Sequence, residues 1–363
     1  MPKAELSGGA ETALMEMLRS SESKRIEWIV VFQVLGGMVD RVRSLGIAAL
    51  VVHGGRVRQF HRLLWSVMRI VQIASQNCVD LILSWEGKAH LYGGPAAILS
   101  GIPAVWVSHA SVSHWNPVDR LTMRIPAAGI CACSRSVASS FDIMVPRRPV
   151  RIVNPGVDII RFNAQDLPER AVVRQMFGIE ASRPLLVSVG RLVKAKGFDL
   201  LISAMPSVLK HFPEARCLIL GGEDVGEPGY RSMLERQIDD HGLSSRVLLM
   251  GLQADIPRWL HLADVVVQAS RLESFGLSIV EAMAMGKPVV AAAASGPREI
   301  IDSGVNGILV PVNDVKRIGS AIVCLLKDRA LAERIGEAAI RRARRFSSSC
   351  FAEDLVRALA EFG

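Results

Sequence analysis

Two carboxylates, Glu273 and Glu281, stand eight residues apart in the otherwise apolar stretch "SRLESFGLSIVEAMAMGKPVVA" (residues 270–291). An acid/base pair flanking one bond would need its carboxyl groups about 5–10 Å apart. On a single helix, eight residues give about 12 Å of rise and about 80° of rotation, which is a poor pair. A better parse puts Glu273 in the loop after the strand "DVVVQAS" and the turn at "SFG". The helix then starts at 276–278, with Glu281 in its first turns and Gly286 as the glycine past its C-terminus. The free N–H groups at 276–278 form an anion site at a helix N-terminus, and the two acids flank it. A ligand with a diphosphate in the middle and hydroxyl-bearing groups at both ends fits this arrangement; a nucleotide sugar is such a ligand.

A second set lies in "SVGRLVKAKGFDLLISAM" (188–205), where Arg191 and Lys196 follow a buried strand and precede an amphipathic helix. Two cations at the C-terminal end of a strand, the ligand side of such sheets, could hold a leaving diphosphate. Taken alone, the same residues also read as a solvated basic loop.

The elements that must position these residues alternate strand and helix almost throughout. Apolar runs at 27–34, 47–52, 79–85, 103–108 and 129–133 read as buried parallel strands in the first half. "PLLVSVG", "ARCLILGG", "RVLLMG", "DVVVQAS", "KPVVAAA" and "GILVPV" do so in the second. Two such series in 363 residues predict an α/β protein of two Rossmann-like, doubly wound domains. The break falls near "NPGVD", with the polar residues after it read as a linker. The expected domains are 1–158 and 159–346, and a final amphipathic helix at about 347–363 is free to pack back on the first. Gly8 and Gly9 precede a helix as a glycine turn does after a first strand. Only seven residues lie ahead of them, so that strand is expected to be missing or a stub.

Charge and composition narrow the function. Residues 1–161 carry 18 Lys and Arg against 11 Asp and Glu, a net +7, while residues 162–363 carry 25 against 24. A basic half suits nucleic acid, an anionic membrane surface or phosphorylated ligands. Nucleic acid is disfavoured because the basic residues are not interleaved with aromatics. A nicotinamide oxidoreductase is disfavoured because no G-x-G-x-x-G follows a strand. The six scattered cysteines form no C-x-x-C pair and read as reduced thiols of a cytoplasmic protein. His109 and His114 lack metal-ligand spacing. In "GGRVRQFHRLLWSVMRIV", Val57, Phe60, Leu64, Val67, Met68 and Val71 share a helical face flanked by Arg56, Arg58, Arg62 and Arg69. This helix either packs on its sheet with a solvated basic face or lies on an anionic membrane.

The combination resembles the GT4 family of retaining glycosyltransferases, which have the GT-B fold of two Rossmann-like domains facing a cleft. "ESFGLSIVE" followed by "AMAMGKPVVA" matches its E-x7-E motif, and "GRLVKAKGFDLLI" its G-R-L-x-x-x-K-G element. "NPGVD", "SGVNGILVPVND", "CSRSVASSF" and the "SGGAE" glycine loop match lesser landmarks. The resemblance runs from about residue 6 to the end and is most specific over 154–314.

It implies transfer of a sugar from a UDP-, GDP- or ADP-linked donor to a saccharide or lipid-linked acceptor. No cofactor and no metal are implied. By resemblance, Glu281 meets the ribose hydroxyls and Glu273 the donor sugar. Backbone amides at Phe275, Gly276 and Leu277 approach sugar and diphosphate, Arg191 and Lys196 neutralise the diphosphate, and His109 sits by the reaction centre. Gly8 and Gly9 bring the first helix to the phosphates or the acceptor. Ser274 stands where the family has glycine, a mild departure. Without its first strand, the first domain would expose the edges of that strand's neighbours. A disaccharide or sugar-phosphate synthase or phosphorylase of the same fold, and a non-catalytic nucleotide-sugar-binding protein, remain alternatives. The implied location is cytoplasmic, with a peripheral site on the inner face of the membrane open.

Overall fold

The computed structural model describes residues 8–54, 60–113, 115–145, 148–180 and 183–363. Val57, Arg56, Arg58 and His114 therefore lie outside the described residues. The chain forms two compact units, 1–156 with 348–363, and 157–347.

Among the described residues the first unit holds six strands: β1 (Ile29–Phe32), β2 (Ala48–Val51), β3 (Ile82–Trp85), β4 (Ala104–Ser108), β5 (Gly129–Ala132) and β6 (Val150–Ile152), each parallel to its paired neighbours. They make two sheets. β1 pairs with β2, and β3, β4, β5 and β6 pair in that order. The run at 103–108 gives β4, buried at every position, as a strand covered on both faces requires. No strand joins β1 to β3 among the described residues, although Phe32 of β1 and Trp85 of β3 share one core. The expectation that the strand ahead of Gly8 is missing or a stub concerns residues 1–7, which lie outside the described residues. β6 escapes the sequence reading: it is three residues, Val-Arg-Ile, at the end of the sheet and too short and charged to stand out. The helix Ser348–Phe362 belongs to this unit, burying Phe351, Ala352, Leu355, Ala358 and Leu359 in its core. Ser348 Oγ donates to Glu16 Oε2 at 2.6 Å, and Arg151 pairs with Glu361 at 2.7 Å.

The second unit holds β7 (Leu185–Val189), β8 (Arg216–Leu220), β9 (Val247–Gly251), β10 (Val265–Gln268), β11 (Val289–Ala292) and β12 (Ile308–Val310). They form one parallel sheet in the order β12-β11-β10-β7-β8-β9. Strand order reverses between β7 and β10, whose pairing sets Val265 beside Leu186. In open α/β sheets a ligand binds outside the strand ends at this point, because the connections leave in opposite directions and open a crevice.

The break falls between Gly156 and Val157, and the polar residues after it are used in local turns. Val157 N–H donates to Phe346 O at 2.9 Å, and Asp158 Oδ1 accepts from Ile160 and Arg161 N–H at 3.0 Å each. Asn163 Oδ1 accepts from Gln165 N–H at 3.1 Å. Their polar side chains satisfy local turns, which is the alternative use of Asp and Asn.

The helix Phe60–Gln76 sits differently from the expected face. Val67 is buried with Ile73 and Ala74, while Leu64, Trp65 and Met68 stay at least half exposed. Apolar residues lie almost all round this helix, so the pattern alone did not decide which side meets the core.

Candidate active site

In the second unit, the chemistry-bearing residues come from the two loops that leave the reversal point. β7 ends at Val189, and Gly190 and Arg191 follow; the turn Lys194–Lys196 then leads to Gly197. β10 ends at Gln268, and the loop through Ser270 and Glu273 leads to the helix Leu277–Ala284.

Backbone and side-chain bonds fasten these loops together. Ala195 O accepts from Arg271 N–H (2.7 Å) and Leu272 N–H (3.2 Å). Arg271 donates to Lys194 O at 3.0 Å and forks onto Asp199 at 2.8 and 2.6 Å. Tyr230 OH also donates to Asp199, at 2.9 Å. Burial pushes the Asp199 carboxyl up, but the hydrogen bonds from Arg271 and Tyr230 more than offset it and hold the group below its ordinary range. Burial, then the bond to Asp199, pushes the Tyr230 phenol up. Gly197 permits the close approach: its φ is +66°, and a Cβ there would lie 2.1 Å from Ala269 O.

The result is a direct ion pair, with Lys196 Nζ 2.5 Å from Glu273 Oε2 and both side chains less than a fifth exposed. Arg191, on the same turn, pairs with Asp224 from the loop after β8. The helix Leu277–Ala284 starts behind Gly276, whose φ of +118° suits only glycine. Its first intrahelical bonds run from Ile279 and Val280 to Gly276 O. The N–H groups of Leu277 and Ser278 therefore lie ahead of the ladder, at the positive end of the helix.

Phe275 is turned into the core against Phe346, with ring centroids 5.4 Å apart, so only its backbone is offered outward. Ser274 lies between Glu273 and this anchor, half-buried, and Glu281 lies half-buried one turn into the helix. Gly286, at φ +68°, closes that helix: Gly286 N–H bonds Met283 O and Lys287 N–H bonds Ala282 O. A cavity of about 350 Å³ opens beside Glu273, lined also by Arg271, Ser295 and Arg298.

In the first unit, a separate set converges at the C-terminal ends of β3 and β4. Gly8, in extended conformation, caps the helix Gly9–Arg19. Ala10 O accepts from Trp85 Nε1 at 2.9 Å, and the Trp85 ring lies 5.3 Å from that of His109. Trp85 thus ties the glycine turn to His109. Two histidines of this unit, His90 and His109, have pKa values pushed down by burial to about 4, so both are neutral near pH 7. Their surroundings separate them. His90 has both ring nitrogens engaged, with Ser84 Oγ at 3.2 Å and Ile125 O at 3.4 Å. His109 Nε2 has no partner among the described residues. His90 is therefore a satisfied core residue, and His109 keeps a nitrogen free for chemistry.

All eight second-unit residues singled out from the sequence lie on these two loops and the helix they lead to, and Gly8, Gly9 and His109 share the first-unit set. Sequence reasoning missed Trp85, Asp199, Asp224, Tyr230 and Arg271. A tryptophan ending the strand "LILSW", and an arginine two residues ahead of Glu273, were the available signals.

The family model described as "Glycosyltransferase Family 4" matches residues 7–161, and that described as "Glycosyl transferases group 1" matches residues 169–342. A GDP-mannose-dependent alpha-(1-6)-phosphatidylinositol monomannoside mannosyltransferase of Mycolicibacterium smegmatis is 32% identical over 277 residues, 71% of each chain. A D-inositol 3-phosphate glycosyltransferase of Xylanimonas cellulosilytica is 36% identical over 203 residues, 54% of this chain and 48% of that protein. The match thus spans about half the length of the latter. The crystal structure of HepE from Anabaena in complex with UDP and glucose superposes with a TM-score of 0.88 at 26% identity, covering 99% of this chain and 98% of that one. Two Rossmann-like units, the second carrying an E-x7-E loop and an Arg/Lys turn at its reversal point, thus have GT-B relatives, and the chain belongs to the GT4 glycosyltransferase family.

Proposed function

We propose that this protein transfers a sugar from a nucleotide-sugar donor to an acceptor hydroxyl with retention of configuration. The observation that carries this reading is the Lys196–Glu273 pair at the reversal point, with a helix N-terminus directly after it. Arg191 and Lys196 neutralise the donor diphosphate, assisted by the backbone at Phe275, Gly276 and Leu277. Glu273 binds sugar hydroxyls and Glu281 those of the ribose. The two cations do the work a divalent metal does elsewhere, so no metal takes part.

The bond from the anomeric carbon to the diphosphate oxygen breaks as the acceptor oxygen bonds to the same face. The acceptor proton passes to the departing phosphate oxygen. The protein contributes orientation and charge stabilisation. His109, neutral and with Nε2 free, hydrogen-bonds the sugar or acceptor near the reacting carbon. Ser274, in place of glycine, adds a hydroxyl beside the sugar. The glycine turn at Gly8 and Gly9, tied to His109 through Trp85, borders the acceptor side.

The acceptor reading is a saccharide or lipid-linked intermediate reached from an anionic membrane. No helix is long and apolar enough to cross a membrane among the described residues. On the helix Phe60–Gln76, Leu64, Met68 and Trp65 span about 100° of the exposed side, with Arg69 and Arg62 at its margin. Residues 41–79 contain six arginines and no Asp or Glu. An exposed tryptophan between aliphatic side chains and arginines suits the interfacial layer of an anionic bilayer.

The donor is tested by calorimetric titration with UDP-, GDP- and ADP-sugars, followed by a donor-hydrolysis assay. Binding of one class with slow hydrolysis is expected; binding of none would favour a non-catalytic relative. For the membrane, the L64S/W65S/M68S variant should lose flotation with phosphatidylglycerol vesicles. Unchanged flotation would remove the helix from the account.

A further inference from the structure

We infer that Asp224 is an internal counter-ion that competes with the donor diphosphate for Arg191 and so sets donor affinity; this rests on the assignment of Arg191 to the diphosphate. The loop at 221–229, "GGEDVGEPG", carries three acids and lies against the Arg191 turn. Its base is fixed there, since Leu192 N–H donates to Gly222 O at 2.9 Å and Glu227 Oε2 accepts from Lys194 N–H at 2.8 Å. Asp224 uses its two oxygens differently. Oδ1 accepts from Gly226 N–H at 2.8 Å, which shapes the loop tip, and Oδ2 pairs with Arg191.

The two ion pairs of this site are not equivalent. Lys196 and Glu273 both face ligand groups, one the phosphate and the other the sugar, so a bound donor can use both. Asp224 and a diphosphate are both anions and call on the same guanidinium. With the donor bound, Asp224 either leaves or stays as a like charge close to the phosphates; each lowers affinity. The Asp224 side chain is 17% exposed, while Val225 beside it at the loop tip is 98% exposed, so the tip can shift without uncovering core. Arg191 is 43% exposed, so the pair is solvated on its cationic side and of modest strength.

The test is titration calorimetry with UDP and with GDP on the full chain carrying D224N, R191A or both. Asn at 224 keeps the volume and the acceptor for Gly226 N–H, and it replaces the anionic oxygen facing Arg191 with an NH2 group that cannot accept from the guanidinium. The expected result is about two- to fivefold tighter nucleotide binding by D224N, the scale of a partly exposed ion pair. R191A should bind more weakly than wild type, and D224N should add nothing in the R191A background. Equal or weaker binding by D224N while R191A weakens binding would overturn the counter-ion role and make Asp224 a positioning residue for Arg191. If R191A binds both nucleotides as wild type does, the assignment of Arg191 to the diphosphate falls, and the inference with it.

Discussion

Lys196 Nζ and Glu273 Oε2 meet at 2.5 Å across the point where strand order in the second sheet reverses. One residue comes from the turn after β7 and the other from the loop after β10, 77 positions apart in the chain. The Arg271–Asp199–Tyr230 set ties the same two loops together.

The close approach of the two loops is open to stability measurement at Gly197. A side chain there meets Ala269 O at 2.1 Å and adopts a positive φ. G197A should lower unfolding stability by about 1–3 kcal/mol in urea titrations and raise the donor KM. A variant as stable as wild type would show that the loops need no such close approach.

Glu281 is assigned to the ribose. The wild-type protein should bind UDP or GDP more tightly than the matching 2′,3′-dideoxy nucleotide, and E281A should erase most of that preference. A preference unchanged in E281A would detach this residue from the sugar of the nucleotide.

Much of this site could be read from the chain alone. Gly190-Arg191 and Lys196-Gly197 follow an apolar run, and Glu273 and Glu281 bracket a glycine turn, so residue types and spacing placed each on the right element. The ties between elements were not legible. Asp199 looks like an ordinary first-turn acid until Arg271 and Tyr230 arrive from distant segments, and Asp224 looks like loop polarity. The exposed side of the helix Phe60–Gln76 is hidden in the sequence for the same reason: Val67 and Met68 are equally apolar, and only the neighbouring elements decide which is covered.

The two buried histidines make stability depend on pH. His90 and His109 fall from an ordinary 6.5 to about 4 in the folded chain. The unfolded chain therefore takes up protons first, and stability is full above about pH 6.5 and declines as pH falls toward 4. Thermal melts from pH 7.5 to 4 should show this decline, and H109N should make it shallower. An identical slope in H109N would mean that His109 is not held neutral by burial.

Arg191 and Lys196 are assigned the charge stabilisation that a metal provides in other transferases. Turnover measured in excess EDTA should equal that in magnesium. Loss of activity in EDTA with recovery on adding magnesium would place a cation in the mechanism.

The most direct test of the central claim is turnover of R191A and K196A with the donor found by calorimetry. Each should reduce kcat by about 10²–10³-fold, the usual effect of removing one preorganised charge-stabilising group. Wild-type turnover in both variants would contradict the account of how the diphosphate is held as it leaves.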